Sequence, residues 1–165
     1  MRKYHIIIAS LVVVLDRLTK WAVSQRINLY DSVDVVPGLF RLTHVHNQGA
    51  AFGLFSDSPS EWKVTMLIVF SVAALAVVST LLWKNGNAMN ATAIALSLVF
   101  GGALGNLWDR VANGRVIDFF DFYLGSHHWP AFNVADSAIV IGALLLLSEI
   151  FLAPQEEKAE KVISN

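Results

Sequence analysis

Four long apolar stretches, separated by more polar segments, dominate the pattern of this 165-residue sequence. They cover about 5–24, 62–83, 88–108 and 132–152. Each reaches the roughly 20 residues that a helix needs to cross about 30 Å of hydrocarbon. Because a backbone inside lipid must satisfy its own hydrogen bonds, such stretches form helices. The pattern predicts an all-α integral membrane protein, a single domain with four transmembrane helices.

The segment 25–61, between the first two predicted helices, is not a continuous apolar stretch. Its stretches 31–36 and 39–45 are short and rich in β-branched residues, and Pro37 and Gly38 between them suit the centre of a turn. We therefore expect a small β-sheet here, followed by a glycine-containing loop that can approach a ligand closely. A plain connecting loop is the alternative interpretation.

Composition supports a membrane protein. Hydrophobic residues make up 55% of the chain and charged residues 15%, with a mean hydropathy of +0.55, whereas ordinary domains carry about 25% charged residues. The net charge of -1 argues against a nucleic-acid partner. Since there is no cysteine, disulfides, thiolate metal sites and a cysteine nucleophile are excluded. The charged tail, 154–165, is predicted to be disordered.

An even number of transmembrane helices places both termini on one side of the membrane. Arg2 and Lys3 directly precede the first helix and predict that this side is the cytoplasm. The β segment would then be extracytoplasmic. A cleaved signal peptide is the alternative for the first apolar stretch, but Asp16, Arg17 and Lys20 interrupt it.

Asp16 and Lys20 are the first candidate functional residues. Because they are four residues apart in a helix, they share one face, and opposite charges at membrane depth are expected to pair. A structural ion pair that holds the first helix to the bundle is the favoured interpretation, with direct chemistry as the alternative. Arg17 lies off that face and is expected to extend outward to the interface.

The third helix combines small and polar residues. Gly101 and Gly105 form a small-xxx-small pair that lets another helix approach closely. Asn106 and Arg110 share a face one turn later, and an arginine can hold a carboxylate bidentately. An interfacial position with no further role is the alternative for Arg110. Asp109 is interpreted as a structural partner.

Asn133 and Asp136 open the fourth helix with the spacing of a capping box. A second carboxyl nearby would raise one of the two pKa values, as a proton-sharing pair requires. Asp118 is the candidate, because its aromatic neighbours are typical of a segment at the lipid–water boundary. An exposed loop position for Asp118, and Asp121 as the partner instead, are the alternatives.

Two pairs of histidines raise the question of a metal site. His44 and His46 would point the same way on a strand, while His127 and His128 are adjacent and would diverge. Neither pair belongs to a motif with metal-ligand spacing. We therefore predict no metal and no cofactor.

Five short motifs occur in order along the chain. They are Asp16-x-x-Thr-Lys20, Asn47-x-Gly49-x-Ala-Phe52, Gly101-Gly-x-x-Gly-Asn-x-x-Asp-Arg110, Gly114-x-Val-x-Asp-Phe119 and Phe132-Asn-x-Ala-Asp136. With them the chain resembles the lipoprotein signal peptidase, or signal peptidase II, family over nearly its whole length. The resemblance implies a bacterial inner-membrane aspartic endopeptidase with its active site towards the extracytoplasmic face.

By the same resemblance the substrates are prolipoproteins, cut just before a cysteine that carries a diacylglyceryl group. Membrane lipids surround such enzymes, and the cyclic peptide globomycin inhibits them. The resemblance implies that Asp118 and Asp136 are the catalytic residues. It further implies substrate-binding or supporting roles for Asp16, Lys20, Asn47, Gly49, Asn106, Arg110 and Asn133.

Two other classes of protein compete with an enzyme. A small ion or proton carrier would also place charged residues in the membrane, but transporter sites lie near the midplane, often between inverted repeats. Here the carboxylates gather at one end, and no repeat is visible in the sequence. A purely structural bundle would explain the glycines but give Asp118 and Asp136 no role.

Overall fold

A computed structural model describes residues 3–49, 61–85 and 90–152. The end of the predicted glycine-containing loop and the charged tail lie outside these ranges. Four helices and four strands occur in the described part of the chain: α1 (Lys3–Arg26), β1 (Ser32–Val36), β2 (Phe40–Asn47), α2 (Glu61–Lys84), α3 (Ala91–Asn113), β3 (Val116–Leu124), β4 (His127–His128) and α4 (Val134–Leu152).

Three of these helices have the length and apolar composition to cross a membrane. The candidate spans are Trp62–Lys84, Ala91–Asn113 and Val134–Phe151. α1 is equally long, with 24 residues, but its charged residues lower its hydropathy. Length and composition therefore identify three of the four predicted transmembrane helices within the described ranges.

α3 continues past the sequence-based end at 108. Gly114 ends the helix in a left-handed conformation, with φ of 67°, and its N–H donates to the carbonyl of Arg110 at 3.0 Å. A glycine at this position adopts positive φ without steric cost and satisfies a terminal carbonyl. Asp109 and Arg110 are consequently helical residues whose side chains lie among the other elements.

The sheet is larger than the segment between α1 and α2. Its order is β1-β2-β3-β4, and every neighbouring pair is antiparallel. The segment 25–61 supplies only the first two strands, which corrects the expectation of a sheet confined to that segment. β3 forms because it is rich in β-branched and aromatic residues and is followed by a turn. It places Asp118 opposite Val45 of β2.

Glycines let α3 lie against both α1 and α4. A Cβ built on Gly101 would lie 2.8 Å from the carbonyl oxygen of Ala9 in α1, and one on Gly102 would overlap that of Ala135 in α4. Any larger residue would push the helices apart. α3 therefore forms the centre of the bundle, and it brings α1 and α4 close enough for their polar side chains to meet.

Candidate active site

Asp118 and Asp136 approach each other across Asn133. The Asn133 side chain donates from Nδ2 to Asp118 Oδ1 at 2.6 Å, and its backbone N–H donates to Asp136 Oδ2 at 3.2 Å. Asp118 lies on β3 and is 2% exposed, while Asp136 lies in the first turn of α4. One residue thus contacts both carboxyl groups.

The predicted capping box is present at the start of α4. Asn133 Oδ1 accepts the backbone N–H of Asp136 at 2.9 Å, which completes the reciprocal pair of hydrogen bonds that this motif requires. The cap fixes the Asp136 side chain against the helix N-terminus, where the helix dipole favours a negative charge. Capping and a place in the site are therefore compatible for this residue.

Two further asparagines hold the remaining carboxyl oxygens. Asn47 Nδ2 on β2 donates to Asp118 Oδ2 at 2.9 Å, and Asn106 Nδ2 on α3 donates to Asp136 Oδ1 at 2.7 Å. Each of the four carboxyl oxygens accordingly accepts a hydrogen bond from an asparagine. This arrangement orients both side chains, and among the described residues no cationic side chain forms an ion pair with either.

The pKa of Asp118 is raised to about 6, mainly by burial and in smaller part by the negative charge of Asp136. The hydrogen bonds from Asn47 and Asn133 act in the opposite sense because they stabilise the carboxylate. A carboxyl group with a pKa of about 6 exchanges its proton close to neutral pH. This is the property that general acid–base chemistry requires.

Lys20 lies behind Asn106, on the side away from Asp136. Its Nζ donates to Asn106 Oδ1 at 3.0 Å and to Asp16 Oδ2 at 2.8 Å, and it lies 2.7 Å from Asp109 Oδ2. Because the ammonium can only donate, Asn106 must turn its oxygen to Lys20 and its amide hydrogens to Asp136. Lys20 therefore fixes the orientation of an asparagine that contacts the site.

The fully buried carboxylate of Asp16 contacts residues of α1, α3 and α4. Its Oδ1 accepts the backbone N–H of Ala135 in α4 at 3.0 Å, and its carboxyl group lies over Gly105 of α3, where a Cβ would be 2.9 Å from Oδ2. The carboxylate thus pairs with Lys20 and satisfies a terminal amide of α4. This geometry agrees with the structural interpretation of the pair.

Arg17 does not extend outward as expected. Its guanidinium pairs with Asp109, which also lies beside Lys20. Arg17 can contact Asp109 because α3 remains helical beyond 108. This contact was not predicted from the sequence. The available signal was the position of Asp109 one helical turn after Gly105, whose small-xxx-small pair lets another helix approach.

Arg110 reaches the loop that follows β2. Its Nη2 donates to the carbonyl of Gly49 at 3.0 Å, while the Gly49 N–H donates to Asn47 Oδ1 at 2.8 Å. Its Nε is buried and has no hydrogen-bond partner among the described residues. The guanidinium lies in the electrostatic field of Asp118 and Asp136 rather than against either carboxylate.

A cavity of about 410 Å³ opens beside the two aspartates. Its polar lining includes Asn47, Asp118 and Asp136, and its apolar walls include Phe132, Ile139 and Val140. A site of this kind, mostly apolar with a few convergent polar groups, is typical of small-ligand pockets. The cavity gives an apolar molecule access to both carboxyl groups.

Asp121, the alternative partner, lies elsewhere on β3. It pairs with Arg41 Nε at 2.7 Å and with His128 Nδ1 at 3.0 Å.

His44 Nδ1 lies 2.8 Å from the carbonyl oxygen of Ile27. Within the described ranges, no three histidine or acidic side chains are grouped so that they could hold a metal ion.

Comparisons with known proteins point to one family. The family described as Signal peptidase (SPase) II matches residues 8–152. The lipoprotein signal peptidase of Solibacter usitatus is 44% identical over 152 residues, covering 92% of each chain. That of Maridesulfovibrio salexigens is 42% identical over 153 residues, covering 92% of this chain and 98% of the relative.

Solved structures of the same fold are also similar. One, described as a bacterial membrane enzyme at 2.3 Å resolution, superposes with a TM-score of 0.80 and 33% identity, covering 94% of this chain and 91% of the other. A second, at 1.9 Å resolution, gives a TM-score of 0.78 at the same identity, covering 90% and 92%.

Proposed function

Since the chain belongs to the signal peptidase II family, we propose that it removes signal peptides from prolipoproteins as an aspartic endopeptidase, with Asp118 and Asp136 as the catalytic pair. The observation that carries the proposal is the arrangement of these two buried carboxyl groups. Three asparagines bind all four of their oxygens, and both line one apolar cavity.

Hydrolysis by two carboxyl groups divides the proton transfers between them. One is ionised and removes a proton from water as the water oxygen attacks the scissile carbonyl. The other is protonated and donates first to the developing oxyanion, after which a proton passes to the leaving amine as the C–N bond breaks. The raised pKa of Asp118 supports a shared proton near neutral pH. The pair titrates as a unit, so neither role is assigned to one aspartate.

Arg110 and the loop at Gly49 are proposed to hold the substrate. The buried Nε–H of Arg110 has no partner among the described residues, and such a donor is costly unless something binds it. A peptide carbonyl of the substrate next to the scissile bond would supply the acceptor. Asn47 would then connect this contact to Asp118 through its two hydrogen bonds.

The apolar walls of the cavity suit a lipid-bearing substrate. We propose that Phe132, Ile139 and Val140 contact the diacylglyceryl group on the cysteine that follows the cleavage site, while the acyl chains remain in the bilayer. Globomycin, as an amphiphilic cyclic peptide, would compete for the same cavity. The membrane itself then delivers the substrate sideways to the two aspartates.

The proposed setting is the bacterial inner membrane. α1 forms the fourth transmembrane helix, because Asp16, Lys20, Asp109 and Arg17 compensate one another's charge inside the protein. Both termini lie in the cytoplasm, and the aspartates and the sheet face outward. The basic residues next to α1 favour this orientation.

Replacing each aspartate by asparagine tests the mechanism. Asp118→Asn and Asp136→Asn keep the side-chain size but remove ionisation, so each is expected to lower the cleavage rate of diacylglyceryl-modified prolipoprotein by at least about 1,000-fold. The double variant should be no slower than the singles, because the pair acts as a unit. Purified variants should be assayed together with their thermal unfolding in detergent.

Asp121→Asn is the matched control, since it lies on the same strand but pairs with Arg41 and His128. It should retain substantial activity. Wild-type cleavage should also persist in the presence of a chelator. Near-normal turnover by a well-folded Asp118→Asn or Asp136→Asn protein would exclude the aspartic mechanism.

A further inference from the structure

A second cavity, which shares no lining residue with the cavity beside the two aspartates, lies between α1 and α2 on the surface of α3. Its volume is about 320 Å³. The residues that define it are His5, Ser10 and Val14 of α1, Ser79 and Leu82 of α2, and Leu104 of α3. α1 and α2 both pack on α3, and the space between them forms a lateral cleft that would open to the bilayer.

The length of the cleft matches one leaflet of the membrane. At a rise of ~1.5 Å per residue, the stretch of α1 from His5 to Val14 is about 14 Å long. Half of a hydrocarbon core of roughly 30 Å has nearly the same depth. One acyl chain of the leaflet nearest the chain termini would therefore fill the cleft from its mouth to its inner end.

Basic residues stand at the ends of the two helices that form the cleft. Lys3 begins α1 two residues before His5, with its Nζ 5.3 Å from the centre of the Tyr4 ring, and Lys84 ends α2 two residues after Leu82; both side chains are exposed. Basic residues at this depth attract the headgroups of anionic lipids. The acidic residue of the described helices at this end, Glu149 of α4, is hydrogen-bonded to Thr92 of α3, so α3 and α4 hold it away from the α1–α2 opening.

We propose that this cleft is a binding site for one anionic phospholipid. An acyl chain lies between α1 and α2, and the phosphate group contacts Lys3 and Lys84. The site is separate from the cavity of the aspartates and does not depend on the proposed peptidase chemistry. Its ligand is a resident lipid of the leaflet opposite to the proposed cleavage site.

Lipid retention measured by native mass spectrometry tests the proposal. The delipidated full chain in detergent is titrated with phosphatidylglycerol or with phosphatidylcholine of the same acyl chains. We expect one phosphatidylglycerol to bind tightly and phosphatidylcholine to bind more weakly. Lys3→Gln with Lys84→Gln should weaken phosphatidylglycerol binding by roughly 25-fold, about fivefold for each basic side chain. Arg26→Gln, at the opposite end of α1, should change nothing.

A substitution that fills the cleft tests the proposal independently. Ser79→Phe places an aromatic ring in the acyl-chain position and should abolish the single tight site. Ala73→Phe, an exposed position on another face of α2, is its matched control and should bind like wild type. Equal affinity for the two lipids, or unchanged binding in both the lysine and the Ser79→Phe variants, would overturn the proposal. Prolipoprotein cleavage should persist in the lysine variant, which separates this outcome from failure of the proposed peptidase function.

Discussion

At the scale of single residues, the orientation of two side-chain amides defines the candidate site. Asn106 accepts from Lys20 and donates to Asp136, while Asn47 accepts from Gly49 and donates to Asp118. In both cases the partner behind the amide decides which atom faces the aspartate. The amides thereby present donors to both carboxyl groups and stabilise their ionised forms, whereas burial opposes ionisation.

This balance at Asp118 predicts a pH-dependent stability. An aspartate has a pKa of about 3.9 when unfolded, and burial raises that of folded Asp118 to about 6. The folded protein therefore binds this proton more tightly than the unfolded chain does. The stabilisation from this proton is fully present at a pH below the pKa of the unfolded chain, and it is lost as the pH rises through about 6. The shift corresponds to a change on the order of 3 kcal/mol.

We expect the free energy of unfolding of wild type, minus that of Asp118→Asn, to fall between pH 4 and pH 7.5. Unfolding of both proteins in the same detergent measures this difference. The titration of groups common to both proteins cancels, and a pH-independent effect of the substitution adds only a constant offset. In an Asp136→Asn background the midpoint should move below that of the wild type, because one source of the raised pKa is gone. A difference that stays constant over this range would contradict the burial of an ionisable Asp118.

The residue pattern and the resemblance both predicted Asp118 and Asp136 as candidates. The resemblance also implied supporting roles for Asn47, Asn106 and Asn133, but not which aspartate each one contacts. Neither Asn47 nor Asn106 has a sequence spacing that relates it to the aspartate it binds, because the contacts join separate elements. The Arg17–Asp109 pair was missed for the same reason. Local patterns such as the Asn133–Asp136 capping box could be predicted, since both partners lie within one helical turn.

At the scale of secondary-structure elements, the site forms where β2, β3, α3 and α4 meet. β2 brings Asn47 to Asp118 because it pairs with β3 in an antiparallel register. The sequence predicted β2 from its turn and its β-branched residues. It did not lead us to β3, because the same aromatic residues that favour a strand also occur at membrane interfaces. Only the pairing with β2 separates the two interpretations.

Lys20 connects α1 with α3 and, through Asp16, with α4. Its side chain is 1% exposed and lies between the carboxylates of Asp16 and Asp109. Lys20→Met leaves Asp16 as a buried charge without its cation, and we expect a loss of about 3–5 kcal/mol in stability. Asp16→Asn leaves Lys20 paired with Asp109 and should cost only about 1–3 kcal/mol.

A double-mutant cycle distinguishes this pairing from independent effects. In Asp16→Asn with Lys20→Met, no unpaired charge remains at Asp16, so the double variant should be more stable than Lys20→Met alone. Unfolding in detergent measures all four proteins, and cleavage assays at a temperature where each is folded report the site. Additive losses of stability would contradict the pairing of Asp16 with Lys20. Full stability of Lys20→Met with no activity would instead argue for a direct role of Lys20 in the chemistry.

At the scale of the whole molecule, the candidate site and the start of α1 lie at opposite ends of the described structure. One end of the molecule holds the start of α1, the end of α2 and the start of α3. The end of α2 and the start of α3 lie together because a short connection joins them. The sheet and both aspartates follow the other ends of α1 and α3. The order of elements in the sequence could predict this separation. The sequence predicted four membrane-crossing helices, and length and composition identify three of them within the described ranges, since α1 carries charges that pair inside the protein.

The proposed orientation predicts which end of the molecule faces the cell exterior. The chain contains no cysteine, so single cysteines report their positions without background. Ser126→Cys, in the exposed turn between β3 and β4, should react with a membrane-impermeant thiol reagent in intact spheroplasts. Asn85→Cys, at the connection between α2 and α3, should react only after permeabilisation. Both should be labelled in detergent, which controls for burial of the thiol. Labelling of Asn85→Cys but not Ser126→Cys in intact spheroplasts would place the aspartates on the cytoplasmic side, where they could not cleave at the outer surface of the membrane.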